Sequence, residues 1–187
     1  MQRKSFDNVE CPIARSLERV GEWWSILIIR DALHGLTRFD EFQKSLGIAP
    51  NMLTRRLNAL VGAGLLERRR YSERPPRDEY VLTPCGRDLR PVLLALMAWG
   101  NKHFAPEGAS VLLAEASTGA IAEPVLVDRT SGRPITETDY TLIPGPAAGE
   151  RMRHRLASAS RVQPLGKEQE AGLQTNRQPR RPAKESG

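Results

Sequence analysis

Apolar residues along the first hundred positions recur with the spacing of helices and then, briefly, with the alternation of strands. Ile13, Leu17 and Val20 stand four and three apart after Cys11-Pro12. They predict a helix with one apolar face, Pro12 taking a first-turn position that tolerates a missing N–H. Gly21 interrupts it, and Trp23–Leu33 is the next helix, with Trp24, Leu27, Ile28 and Ala32 expected inward and Gly35 as its stop. Asp40 is the expected cap of a short third helix, with Gln43 completing a capping box, Phe42 and Leu46 facing in, and Gly47 at its end. Ile48-Ala49-Pro50 is a turn, and a fourth helix over 51–61 buries Leu53, Leu57 and Leu60. Leu65–Tyr71 and Asp78–Thr83 alternate as two strands. Their connection, Ser72–Arg77, holds Pro75-Pro76 and is excluded from strand interior. Thr83 as cap and Pro84 at the first position open a last helix to Phe104, striped by Leu89, Leu93, Leu96 and Trp99.

Helix, tight turn, helix and basic hairpin make a winged helix-turn-helix, so the fold class expected is α+β, mainly α. The last helix carries more apolar surface (Leu93, Leu96, Met97, Trp99) than one small domain covers. With the first helix it predicts a dimerisation face. After Pro106-Glu107-Gly108 the character changes. The stretch from Glu123 to Ile135 reads as a hairpin turning at Ser131-Gly132, and Asp139–Gly149 as a third strand with a Pro/Gly loop. The expected organisation is a winged-helix and dimerisation domain over 1–105, a small β-rich appendage over 106–150, and a basic, disordered tail over 151–187.

Charge follows the same division. Residues 1–105 carry 17 Lys/Arg against 12 Asp/Glu, residues 106–149 carry 2 against 6, and residues 150–187 carry 9 against 4. A basic body favours polyanions, nucleic acid foremost. Ser5–Pro12 lacks the apolar core of a secretion signal, and the longest aliphatic run, Ile26–Ile29, is too short to span a bilayer. Two cysteines give no disulfide framework, which fits a cytoplasmic protein without membrane partners. His34, His103 and His154 stand apart, so no metal or other cofactor is expected. No catalytic arrangement is visible, and neither Cys11 nor Cys85 has a base beside it, so an enzyme is not expected.

The chemistry concentrates on the fourth helix and the hairpin. Asn51, Thr54, Arg55 and Asn58 share the face opposite the leucine seam. Asn reads adenine by a bidentate pair, Arg reads guanine, and Thr serves either a base or a phosphate. Arg56 lies to one side and suits a phosphate or an internal ion pair. Arg68, Arg69, Arg70, Arg74 and Arg77 cluster along the hairpin, where a proline-stiffened basic tip suits phosphate or minor-groove contact. Such arginines also protect edge strands. Cys11 stands at a helix start, where the dipole favours a reactive thiolate, and the plainer reading is a small residue filling a corner of the core.

Residues 11–100 resemble the HxlR-type winged-helix regulators of bacteria. The resemblance rests on Cys11-Pro12, Gly21 with Trp24, Arg38-Phe39, Leu53-Thr54 with Arg56-Leu57, Gly64-Leu65, Pro75-Pro76, Glu79-Tyr80, Leu82-Thr83 and Gly86. It implies a homodimer on palindromic, double-stranded operator DNA, and a redox or electrophile sensor at Cys11. Ala49 departs from the pattern, standing where a Ser cap is usual. A reading from another class is a winged helix used as a protein-interaction module, its basic wing on an acidic partner.

Overall fold

The computed structural model describes residues 9–136 and 138–159. Two compact units divide the chain, residues 1–126 and 127–187. The first opens with α1 (Pro12–Val20), α2 (Trp23–Leu33), α3 (Phe39–Leu46) and α4 (Pro50–Gly62). The antiparallel pair β1 (Leu66–Glu73) and β2 (Pro76–Leu82) follows, then α5 (Pro84–Arg87), α6 (Arg90–Phe104) and the two-residue strands β3 (Leu113–Ala114) and β4 (Ile121–Ala122).

The core lies where α2, α3, α4 and the wing meet. Ile28, Ile29, Phe42, Leu53, Leu57 and Leu60 are fully buried, with Ile48, Leu65, Leu66, Tyr80 and Leu82 around them. Burying a side chain of this size contributes about 1.5–3 kcal/mol, so the leucine seam alone fixes α4 firmly. The phase of α2 differs from the expected one. Ser25, Ile28, Ile29 and Asp31 are its buried residues, while Trp24, Leu27 and Ala32 are half-buried. In so apolar a helix the sequence periodicity is weak, and packing on two sides sets the inward face.

Three other elements depart from their sequence reading. Helix α3 starts at Phe39, one residue before the expected cap Asp40. The Glu41 carboxylate closes its first turn instead, accepting from the backbone N–H of Thr37 (3.0 Å) and Arg38 (2.9 Å). The expected helix from Pro84 to Phe104 is broken into α5 and α6 around Asp88-Leu89. Pro91 is the cause: it has no N–H to give the carbonyl a turn behind it, and it sits instead in the first turn of a new helix. Thr83 does cap α5, accepting from Gly86 N–H at 3.1 Å. Gly86 is buried there so closely that a Cβ would lie 2.1 Å from the Leu65 carbonyl oxygen.

The wing runs further than the sequence allowed. Pairing continues to Glu73↔Pro76, with a bulge between Arg70 and Ser72 and a cis peptide bond at Arg74-Pro75. Pro76 is tolerated because it is the first residue of its strand. On its other side β2 is bridged by Arg38↔Glu79, and Tyr80 N–H donates to the Thr37 carbonyl at 2.7 Å. The chain entering α3 is thereby tied to the wing.

The appendage is less regular than predicted. The expected turn at Ser131-Gly132 is present as a loop closed by the single bridge Val127↔Pro134, with the Asp128 carboxylate accepting from Thr130 and Ser131. These bonds hold the Asp128 carboxyl below the usual carboxylate range. The stretch expected as a third strand, Asp139–Gly149, contains no strand, and the β3–β4 hairpin was not foreseen. Helix α7 (Glu150–Ala159) occupies the start of the segment expected to be a disordered tail. The rest of that expectation lies outside the described residues.

Candidate nucleic-acid interface

Helix α4 enters through Gly47, whose φ of 61° is a left-handed conformation suited to glycine, and through Pro50 at its first turn. Its first turn has no side-chain cap at Ala49. With Leu53, Leu57 and Leu60 turned to the core, Asn51, Thr54, Arg55 and Asn58 are all exposed on the other face. Asn51 Oδ1 accepts from Met52 N–H at 2.7 Å, and Thr54 Oγ1 donates to the Pro50 carbonyl at 2.9 Å. Among the described residues Arg55 reaches only the Met52 sulfur, at 3.7 Å, so its guanidinium is the least committed group on the face. Asn58 Oδ1 accepts from Arg68 of β1.

Arg56 belongs elsewhere. Its side chain is 15% exposed and pairs with Glu22 at 3.1 Å. Of the two uses open to it in the sequence, the structure has the ion pair. This pair fastens α4 to the start of α2 and leaves the guanidinium turned from the exposed face.

The wing arginines fall into two groups. Arg69 makes a forked pair with Glu67 (2.9 and 3.3 Å), which pulls the Glu67 carboxyl below its ordinary range and raises Arg69. Arg70 bonds Asp78 at 2.6 Å and lies 3.5 Å from Glu73, and its pKa is raised in turn, chiefly by Asp78. Arg68 bonds Asn58 and lies over the Tyr80 ring, 5.6 Å from its centroid. Arg74 and Arg77 flank the Pro75-Pro76 tip, exposed and without an ion pair among the described residues. The sequence treated all five as DNA-contacting cations; the carboxylates beside them, Glu67 and Glu73 on the same strand and Asp78 across it, distinguish them.

Arg38 is a residue that sequence reasoning used only as a motif. It is exposed, stands beside the wing through its bridge to Glu79, and stacks over Tyr71 at 4.9 Å. Its position ahead of a helix–turn–helix was the available signal. Cys11 occupies the N-cap position of α1 and is half-buried; Cys85 in α5 is exposed. Among the described residues no helix is long and apolar enough to cross a membrane.

An exposed polar face on the second helix of a helix–turn–helix, with a β-hairpin wing alongside, defines a winged-helix DNA-binding domain. The HxlR-like helix-turn-helix family model matches residues 19–108, and the chain belongs to that family of transcriptional regulators. An uncharacterised HTH-type transcriptional regulator of Mycobacterium tuberculosis is 42% identical over 148 residues, covering 79% of this chain and 91% of its own. Among solved structures, PA1374 of Pseudomonas aeruginosa, described as a candidate transcription factor, is 60% identical with a TM-score of 0.58, covering 78% of this chain and 100% of that one. PA1607, described in the same terms, is 41% identical with a TM-score of 0.68, covering 74% of this chain and 98% of that one.

Proposed function

We propose that the chain binds a palindromic operator as a homodimer, α4 lying in the major groove and the wing on the flanking backbone. The observation that carries this reading is the exposed set Asn51, Thr54, Arg55 and Asn58 opposite a fully buried leucine seam. Those side chains match the donors and acceptors of base edges. A protein-docking surface at the same place would need aromatic anchors, and this face has none. Arg74 and Arg77 supply the phosphate contacts of the wing. Arg55→Ala should weaken binding and relax its specificity by about 1–3 kcal/mol at one base pair per half-site. Footprinting on DNA flanking its own gene, followed by titration of operator against random duplex, tests this. Equal loss on both DNAs would remove Arg55 from base reading.

Cys11 is the proposed redox or electrophile sensor. Its thiol stands at the N-cap of α1, a helix whose Ile13 and Leu17 are exposed and available to a second protomer. An adduct there would tilt one protomer on the other and change the spacing of the two α4 helices. Cys11→Ser should bind operator as the parent does and ignore diamide, while Cys85→Ser still responds. A parent that never responds, or a Cys11→Ser variant that does, makes Cys11 structural.

A further inference from the structure

Asn58 differs from its neighbours on the exposed face of α4. Asn51 and Thr54 bond the backbone of α4 itself, and Arg55 touches Met52 one turn back. Among the described residues, Asn58 alone of the four is held from another element, by Arg68 of β1. Arg68 is itself positioned. It pairs across the strands with Tyr80, and its guanidinium lies over the Tyr80 ring at 5.6 Å. Tyr80 is buried and anchored through its backbone to Thr37.

A guanidinium has donors and no acceptor, so only the carbonyl oxygen of Asn58 can face it. A flipped amide would set N–H against N–H. The orientation of the Asn58 amide is thus decided by the wing, which leaves both Nδ2 donors uncommitted and one lone pair of Oδ1 beside a cation. A free Asn reads adenine by accepting from the N6 amino group while donating to N7. With the Arg68 guanidinium on one lone pair of Oδ1, adenine's N6 donor would have to share that oxygen with a cation, a crowded and electrostatically disfavoured approach. Guanine offers O6 and N7, both acceptors, to the Nδ2 donors.

Resting on the reading of α4 as the recognition helix, we propose that Arg68 is a positioning residue that makes Asn58 select guanine over adenine. Arg68 then governs specificity at a base pair it does not touch, and the wing sets part of the sequence read by the helix.

Selection of half-sites from randomised duplex DNA, with the full chain and titrations at several salt concentrations, tests this. The parent should enrich guanine at one position per half-site, and Asn58→Ala should erase that preference. Arg68→Met keeps an apolar stem over Tyr80 and removes the donors. It should move the preference at that position from guanine towards adenine by about tenfold, the scale of one base contact, with the salt slope unchanged. Arg68→Lys, which still donates to Oδ1, should keep guanine. Arg68 is exposed, so melting of each variant should match the parent. An unchanged base preference in Arg68→Met with a salt slope reduced by about one phosphate contact would make Arg68 a backbone contact and overturn the proposal. So would adenine at the Asn58 position in the parent. A parent that enriches no sequence defeats the recognition-helix reading first, and this inference with it.

Discussion

Arg69 and Arg77 differ in what a phosphate must compete with. Arg69 is forked onto Glu67, and reaching DNA means giving up that pair, whereas Arg77 has no ion pair among the described residues. The pair is exposed, so its value to stability is small, but it neutralises one charge on each partner. Removing both partners together should therefore leave the DNA-binding charge unchanged. The double variant Glu67→Gln/Arg69→Ala should keep the parental slope of log affinity against log salt, while Arg77→Ala should reduce it by about 0.9, one phosphate contact. Salt titrations on random duplex DNA measure both. Equal reductions would mean that Arg69 leaves Glu67 when DNA arrives. The same residues show what the sequence left unsaid: the Arg69–Glu67 pair follows from two-residue alternation along one strand, whereas the Arg70–Asp78 pair depends on the register between the strands.

At the scale of elements, most of the first unit was legible, and each failure has a local cause. The bounds of α1, α2 and α4 follow from Pro12, Gly21 and Pro50 and from the spacing of leucines. The wing tip was misjudged because proline was read as excluding a strand, yet it can begin one. Helix α6 was joined to α5 because its leucine stripe is continuous across Pro91. The appendage was read poorly because its alternation has little packing behind it: Val125, Leu126, Leu142 and Ile143 are all exposed. The start of α3 was misplaced by two residues because Asp40 is a better N-cap by residue type than Arg38. Its true closure by Glu41 carries a pH signature. Backbone hydrogen bonds from Arg38 and Thr37 hold the Glu41 carboxyl below its ordinary value. A depressed folded pKa stabilises the protein above the unfolded value, and this is lost as pH falls through the folded value. Glu41→Gln should thus melt below the parent at neutral pH, and the gap should close in acid. Thermal melts of both proteins across that range measure it; a gap independent of pH would assign the loss to geometry instead.

At the scale of the whole molecule, α6 and α1 are helices whose apolar side chains the described residues leave uncovered. Helix α6 has no buried residue, although it carries Val92, Leu96, Trp99 and Phe104, and α1 exposes Ile13 and Leu17. Trp99 packs edge-on against Phe104 with centroids 4.8 Å apart, and both remain more than half exposed, at 54% and 67%. Aromatic residues held rigid and left open to solvent are the usual anchors of a protein interface. A second copy packing on α1 and α6 would cover them, and the two-fold operator proposed above would require such a copy, since two α4 helices would have to reach half-sites about 34 Å apart. Leu96→Glu and Trp99→Glu separate assembly from folding, since neither side chain fills the monomer core. Each should turn a dimer at micromolar concentration into a monomer in sedimentation, with thermal stability of the monomer within about 0.5 kcal/mol of what surface substitutions cost. Operator affinity should then fall to that of a single half-site, because the second helix no longer arrives with the first. A parent that sediments as a monomer, free and on DNA, would break this account of α6 and leave its aromatic face to another partner.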